Sequence, residues 1–262
     1  MTDSRITAVV LMQDEGPHVA PCLRTLRWAD ALLVVDGGSR DDTIPLARAA
    51  GAHVAERAWD HWTGQRNYAL SLVRTPWVLF VDADERVPPE LATEMRAAVG
   101  RASATTAGDA ADLPAGFWIP RQNLILGQWV RHAGWYPDFQ LRLFRVDRGR
   151  YDLTRQVHEL VELDGAAERL SAHLVHHNYV SWDEFWRKQL RYARSEAAQL
   201  HARGVRARPR NFALQPLREL RRRYVTLGGF RAGALGLRLS VVLAVANFVM
   251  YAELRRLQRI GA

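Results

Sequence analysis

The sequence predicts an α/β protein: a mostly parallel central sheet flanked by helices, followed by a helical, amphipathic C-terminal extension. Three observations predict it. Short apolar runs alternate with helix-spaced segments through the first third of the chain. Acidic residues stand just after several of those runs. Beyond about residue 180 the pattern changes to long amphipathic, basic and apolar stretches.

The elements follow in order. Ile6 to Met12 is apolar and rich in β-branched residues, as a strand buried on both faces must be. Gly16 and Pro17 punctuate it, and Val19 to Trp28 has helical spacing. Ala31 to Val35 is the second strand, ending in Asp36-Gly37-Gly38-Ser39. Asp41-Asp42-Thr43 can cap a helix over Ile44 to Ala50. His53 to Ala55 reads as a weaker strand, Gly64 to Val73 as a helix, and Trp77 to Val81 as a strongly apolar strand running into Asp82-Ala83-Asp84. Ser103 to Asp112, rich in Ala, Thr and Gly, reads as a surface loop. Phe117 to Pro120 opens a region of mixed strands and polar loops. Trp182 to His201 is a long amphipathic helix. Arg218 to Arg223 is strongly basic, and Leu239 to Tyr251 is apolar. That run is shorter than the roughly 20 residues a bilayer crossing needs, so it reads as an interfacial or re-entrant helix.

Composition narrows the function. The 262 residues carry a formal net charge of +8, with 48% hydrophobic and 24% charged residues. This is globular, and its basic surface favours anionic partners such as phosphate-bearing substrates, anionic lipid or nucleic acid. One cysteine, Cys22, excludes an intrachain disulfide and a cysteine-rich zinc site. Met1 to Val10 lacks the apolar core of a signal peptide, which predicts a cytoplasmic protein.

In a parallel sheet, ligands gather outside the carboxyl ends of the strands. There the sequence places Asp14 and Glu15, Asp36, and Asp82 with Asp84. Asp82 and Asp84, one residue apart, can approach one Mg²⁺ or Mn²⁺, whose hard oxygen ligands include substrate phosphates. The plain alternative is a solvated turn ahead of Pro88-Pro89. Asp36 can accept from a nucleobase N–H or a ribose hydroxyl, beside glycines that allow close backbone approach; the plain alternative is a capped strand-to-helix turn. Neither a Gly-x-Gly-x-x-Gly fingerprint nor a P-loop is present.

Four blocks then carry a resemblance: Ile6 to Glu15, Val34 to Thr43, Gly64 to Ala69 and Phe80 to Glu85. In order and spacing they resemble a family 2 glycosyltransferase of the GT-A fold. Tyr136-Pro137-Asp138-Phe139-Gln140-Leu141-Arg142-Leu143-Phe144-Arg145 and Val157-His158-Glu159 resemble the lipopolysaccharide core glucosyltransferase branch, as do His176-His177-Asn178-Tyr179 and Gly228 to Gly233. The resemblance implies a GT-A domain over residues 1–180, with a nucleotide-binding half at 1–100 and an acceptor half at 115–180. Residues 181–262 would be a helical extension on the membrane or acceptor side. It implies that Asp14, Glu15 and the backbone after the first strand line the nucleotide pocket. Asp36 would recognise the base, usually uracil. Arg66 would lie near the base or diphosphate, with Asn67 supporting that wall. Asp82 would contact the ribose or a metal-linked water, and Asp84 would ligate the metal. The family often has Asn-Glu in place of Asp14-Glu15, and another residue in place of Gly37.

Inverting transfer needs a carboxylate to take the acceptor's proton. Asp138, in the aromatic setting Trp135-Tyr136-Pro137, is the first candidate, because burial would raise its basicity. Glu159 is the second. His158 is a candidate third metal ligand, and Arg142 and Arg145 suit phosphate. The expected enzyme moves a hexosyl group from a nucleotide-sugar, a UDP-sugar, to a glycan or glycolipid acceptor. It would sit peripherally on the cytoplasmic face of the inner membrane. A polyprenyl phosphate is an alternative acceptor. Nucleotidyl transfer is disfavoured, because the loop after the first strand is acidic rather than basic. A nucleic-acid-binding protein is disfavoured because acids at three strand ends would repel a phosphate backbone.

Overall fold

The computed structural model describes residues 3–104, 113–152 and 161–260. The expected loop over Ser103 to Asp112 lies mostly outside them. The chain divides into two compact units, residues 1–121 with 138–176, and residues 122–137 with 177–262.

The first unit begins with the predicted alternation. Its strands and helices are β1 (Ile6–Met12), α1 (Gly16–Arg24), β2 (Ala31–Asp36), α2 (Thr43–Ala49), β3 (His53–Glu56), α3 (Trp62–Leu72), β4 (Trp77–Asp82), the two-residue β5 (Glu85–Arg86) and α4 (Pro89–Ser103). Along the chain then come β6 (Gly116–Ile125), β7 (Gln128–Trp129), β8 (Phe139–Arg145), β9 (Gly149–Tyr151), β10 (Val161–Leu163), β11 (Ala167–Arg169) and β12 (Leu174–Tyr179), of which β7 and the ends of β6 and β12 fall in the second unit. The main sheet runs β3-β2-β1-β4-β8-β6-β12-β5. Its first four strands are parallel; β8 joins β4 antiparallel, and β6 joins β8 antiparallel. The sheet is thus mixed, its parallel part being the part written as continuous apolar runs.

Alternation along the strands sorts the core onto two faces. Ile6, Ala8, Val10 and Met12 of β1 face Cys22 and Leu23 of α1 and Leu91 and Met95 of α4. Val9 and Leu11 face the other way, with Val35, Phe80 and Ala69 of α3. Cys22 is fully buried, and burial pushes its thiol up to about 12. α1 starts and ends earlier than its apolar spacing predicts. Pro17 suits the first helical turn, and the Thr25 hydroxyl closes the end by donating to the Cys22 carbonyl at 2.7 Å.

The second unit is mainly helical. α5 (Trp182–Ala202) is capped by Ser181, whose hydroxyl accepts from the Glu184 amide at 3.1 Å, while the Glu184 carboxylate accepts from the Val180 amide at 2.9 Å. α6 (Asn211–Arg221) runs into a π-helical turn at Arg222–Thr226 and a 3-10 turn at Gly229–Ala232, and α7 (Gly233–Ile260) packs on both α5 and α6. Gly236 lies so close to the Gly229 carbonyl that no β-carbon fits there. The apolar run Leu239 to Tyr251 is only the middle of α7, a 28-residue helix. At 1.5 Å per residue, α7 is about 42 Å long. Gly229–Ile260 is therefore long and apolar enough to cross a membrane by length and composition, which corrects the reading of that run as too short. The chain continues helical through its charged ends because Arg, Glu, Leu and Gln are good helix formers.

Candidate functional site

The strand registers bring the predicted acids level with one another. Met12 pairs with Asp36 on one side of β1, and Leu11 pairs with Asp82 on the other. Adjacent strands lie about 4.8 Å apart, so Asp36, the loop after β1 and Asp82 share one edge of the first unit.

The loops after β1 and β2 are stitched together. The amides of Asp14, Glu15 and Gly16 donate to the Ser39 hydroxyl, the Thr43 hydroxyl and the Asp41 carboxylate at 2.9, 2.8 and 3.0 Å. The Asp14 carboxylate accepts from the Arg40 amide at 2.7 Å. These backbone donors are therefore engaged within the protein rather than turned to a ligand. Asp14 sits at φ 54, a conformation Asp tolerates better than most residues. Asp36 is fully buried. Its carboxylate accepts the Gly38 and Ser39 amides at 2.8 Å each and bonds the Ser39 hydroxyl. It builds the turn as well as facing the edge. At Gly37 a β-carbon would lie 2.9 Å from the Trp59 ring, so this glycine admits an indole rather than only a ligand. No periodicity marks that contact, because Trp59 lies in the irregular stretch between β3 and α3.

Around Asp82 the structure assembles an alternating chain of charges from five segments. Arg142 on β8 clasps both oxygens of Asp82, and Arg66 on α3 stands 3.8 Å from the same carboxylate. Arg142 also lies 3.6 Å from Glu85, and Arg121 on β6 lies 3.5 Å from Glu85 on its other side. Arg121 then grips Asp138 at 2.7 Å. Glu85 is completely buried and accepts from the Asp82 amide at 2.9 Å, closing the Asp82-Ala83-Asp84 turn. Glu85 Oε1 and Arg142 Nε are buried with no hydrogen-bond partner among the described residues.

The electrostatics divide the two carboxylates, Glu85 fully buried and Asp82 half-buried. Burial pushes both up. For Asp82 the Arg142 and Arg66 guanidiniums outweigh it and hold the carboxyl well below the usual range. For Glu85 burial, reinforced by the negative charge of Asp82, prevails and raises the carboxyl despite Arg142 and Arg121. Arg142 is raised in turn: burial opposes its charge, and Asp82 and Glu85 more than restore it.

Asp84 stands apart from this chain. It is partly exposed, and its Oδ2 lies 3.4 Å from Nε2 of His176 on β12. His176 pairs with Glu85 across strands. No motif spacing in the sequence marks His176, which stands 92 residues after Asp84; the antiparallel β5–β12 pair delivers it. Asp84 and His176 offer an oxygen and a nitrogen donor, a pair suited to Mn²⁺. A divalent cation on a diphosphate needs few protein ligands, since phosphates and water fill the rest. The donor set therefore fits such a cation. Among the described residues no three His, Cys, Asp or Glu converge on one point. Asp82, expected as a second ligand, has both oxygens committed to Arg142.

The remaining predicted residues are placed as follows. Arg66 lies over the Phe80 and Tyr151 rings at 5.7 and 5.4 Å. Asn67 exchanges hydrogen bonds with the Tyr151 backbone, at 2.8 and 3.1 Å, and so pins β9 to α3. Asp138 is paired as well as set among aromatic residues: Arg121 and Gln140 hold its two oxygens, the latter at 2.7 Å, and it leads directly into β8. Arg145 pairs with Trp77 at the opposite end of β4 from Asp82, and its guanidinium is taken by Asp147 at 2.8 Å. The structure does not bring it to the site, because β8 runs antiparallel to β4. Glu159 and His158 lie outside the described residues.

A parallel half with acids at its carboxyl edge and an antiparallel continuation of the same sheet define the GT-A fold of glycosyltransferases. The chain belongs to glycosyl transferase family 2, whose sequence profile matches residues 7–150. It is similar to the lipopolysaccharide core biosynthesis glycosyltransferase LpsC of Rhizobium meliloti (strain 1021), with 27% identity over 258 residues, 95% of this chain and 91% of LpsC. It is also similar to the uncharacterized glycosyltransferase RC0292 of Rickettsia conorii, at 36% identity over 92 residues, 35% of this chain and 33% of that protein. Among solved structures, the mannosyltransferase PcManGT of Pyrobaculum calidifontis, in complex with GDP-Man and Mn²⁺, shares the fold at TM-score 0.53 and 14% identity, over 97% of this chain and 89% of that one.

Proposed function

We propose that this glycosyltransferase takes a UDP-sugar as donor and transfers its hexosyl group, with inversion, to a lipid-linked or lipopolysaccharide-core glycan at the cytoplasmic face of the inner membrane. The observation that carries the donor part is the strand-end edge shared by Asp36 and Asp82, with Asp84 in the turn just after β4. The likeness to LpsC supports the acceptor class. The Mn²⁺ and GDP-Man bound by PcManGT are consistent with a metal-dependent nucleotide-sugar site.

In this reading Asp84 and His176 would hold a divalent cation, which would supply positive charge toward the leaving diphosphate. Asp36 and the Gly37-Gly38 turn meet the nucleoside. Arg66 adds a cation at the β4 edge. The clasp of Arg142 fixes Asp82, so that its outward oxygen lone pairs meet the ribose in a set orientation. Asp138 or Glu159 takes the proton from the acceptor hydroxyl as it attacks the anomeric carbon. A proton acceptor needs a free lone pair, and Arg121 and Gln140 leave Asp138 fewer of them.

The test is incubation with a panel of UDP-sugars and a lipid A core oligosaccharide, with the product anomer read by NMR. Transfer with inverted configuration is the expected result. A product retaining the donor configuration would contradict the single-base mechanism, and transfer only to a polyprenyl phosphate would move the acceptor to that class.

A further inference from the structure

The helical unit leaves a set of large apolar side chains in solvent that its own packing does not explain. On α7, Leu237, Val241, Val245 and Phe248 are exposed. Their spacing of four, four and three residues puts them on one face. On α6, Leu214 and Leu217 are exposed, the latter 62%. Phe212 at the start of α6 meets Phe248 edge-on at 5.7 Å, which joins the two helices' outer surfaces. In the turns that link α6 to α7, Val225 and Phe230 are more than half exposed.

Charge surrounds this surface in a one-sided way. Between residues 203 and 240 the sequence holds ten arginines and one acid, Glu219. Glu219 is already paired, with Arg222 at 3.1 Å and Arg223 at 2.7 Å. Arg238 sits beside the α7 stripe, and Arg255 and Arg259 continue its azimuth toward the C-terminus. An apolar face with a cationic border is complementary to a surface of acyl chains under anionic headgroups.

We propose that this face docks on an anionic phospholipid bilayer, with α7 lying along the membrane plane rather than crossing it. The proposal deepens, and rests on, the reading of a membrane-borne acceptor. Length and composition would allow α7 to span. Its inner face, however, packs on α5, which carries Arg187, Lys188, Arg191 and Arg194. A crossing would draw those charges into hydrocarbon, where each is costly. Docking by one face leaves α5 in water and buries only the stripe.

The experiment is flotation of the full chain with vesicles of phosphatidylcholine, with and without phosphatidylglycerol, at low and high salt. Binding is expected to require phosphatidylglycerol and to weaken as salt rises. The double variant Val241→Asn, Phe248→Asn should lower vesicle partitioning by about tenfold or more, given the apolar area lost. Leu46→Asn on α2 is the control and should bind as the parent does. Far-UV circular dichroism checks that both variants fold. Binding unchanged in the double variant would overturn the assignment of this face. Absence of binding to either vesicle would overturn the proposal, and self-association lost in the double variant would then make a second copy the occupant. Resistance of bound protein to extraction at high pH would show a spanning helix and overturn the in-plane geometry. Calorimetry of UDP on the same preparation keeps the readings separable: nucleotide binding without vesicle binding sinks only this proposal, and the converse sinks only the donor assignment.

Discussion

Arginine does opposite work in the two units. In the α/β unit, Arg142 is 5% exposed and Arg121 and Arg66 are half-buried or better, each against a carboxylate or an aromatic ring. In the helical unit most arginines lie in solvent, bordering apolar side chains that also lie in solvent. Buried guanidinium–carboxylate pairs are rigid, and removing one member strands the other. Exposed cations beside exposed apolar groups contribute little to folding and much to recognition of a charged surface. Net charge alone is therefore a poor guide: the same residue holds carboxylates in one unit and borders exposed apolar side chains in the other.

Substitutions in each unit test this contrast. Arg142→Ala should destabilise the fold by about 3–5 kcal/mol, because Asp82 and Glu85 lose their shared cation in a buried setting. Urea unfolding measures it, and a change under about 1 kcal/mol, the worth of an exposed pair, would show the chain of charges to be solvated. Asp138→Asn and Glu159→Gln separate the two candidate bases. The true base should lose roughly 10²–10⁴ in turnover with donor affinity unchanged. If Asp138→Asn weakened nucleotide binding and spared the rate, it would be a structural partner of Arg121. Glu219→Gln, in the helical unit, should cost no more than about 1 kcal/mol near neutral pH. Burial raises the Glu219 carboxyl, but Arg223 and Arg222 outweigh it and lower it below its ordinary value. A depressed carboxyl contributes stability above its unfolded value and loses it as pH falls through the folded one. The gap between wild type and variant should therefore close in acid. A gap that widened there would reverse the sign of the assignment.

The sequence made the parallel half legible because strands buried on both faces are written as continuous apolar runs. β1 is bounded as its residues predict, and β2, β3 and β4 each extend one residue further. The acids after them were legible for the same reason, since topology alone sets strand ends at one edge. β5, β7, β10 and β11 were not, being two or three residues long with no periodicity to read. Nor was the chain Asp138–Arg121–Glu85–Arg142–Asp82, whose links join residues 17 and 60 positions apart through β6 and β8 pairing. Arg142 carried a phosphate-binding expectation on residue type alone. Its burial against Asp82 depends on which face of β8 it occupies, and the irregular run around it hid that. His176 was visible only as part of a motif without a role, since its meeting with Asp84 requires the β5–β12 pair.

The proposed donor site stands on nucleotide binding at the strand-end edge through a cation at Asp84. Calorimetry of UDP tests it directly, with Mn²⁺ and then with chelator, on the wild type and on Asp84→Ala, a change that should leave stability within about 0.5 kcal/mol because the side chain is partly exposed and at a turn. Binding with Mn²⁺, loss of binding with chelator and no metal-dependent binding in the variant are the expected results. Equal affinity of wild type and variant, or failure of the wild type to bind UDP, GDP, CMP or dTDP under either condition, would contradict it.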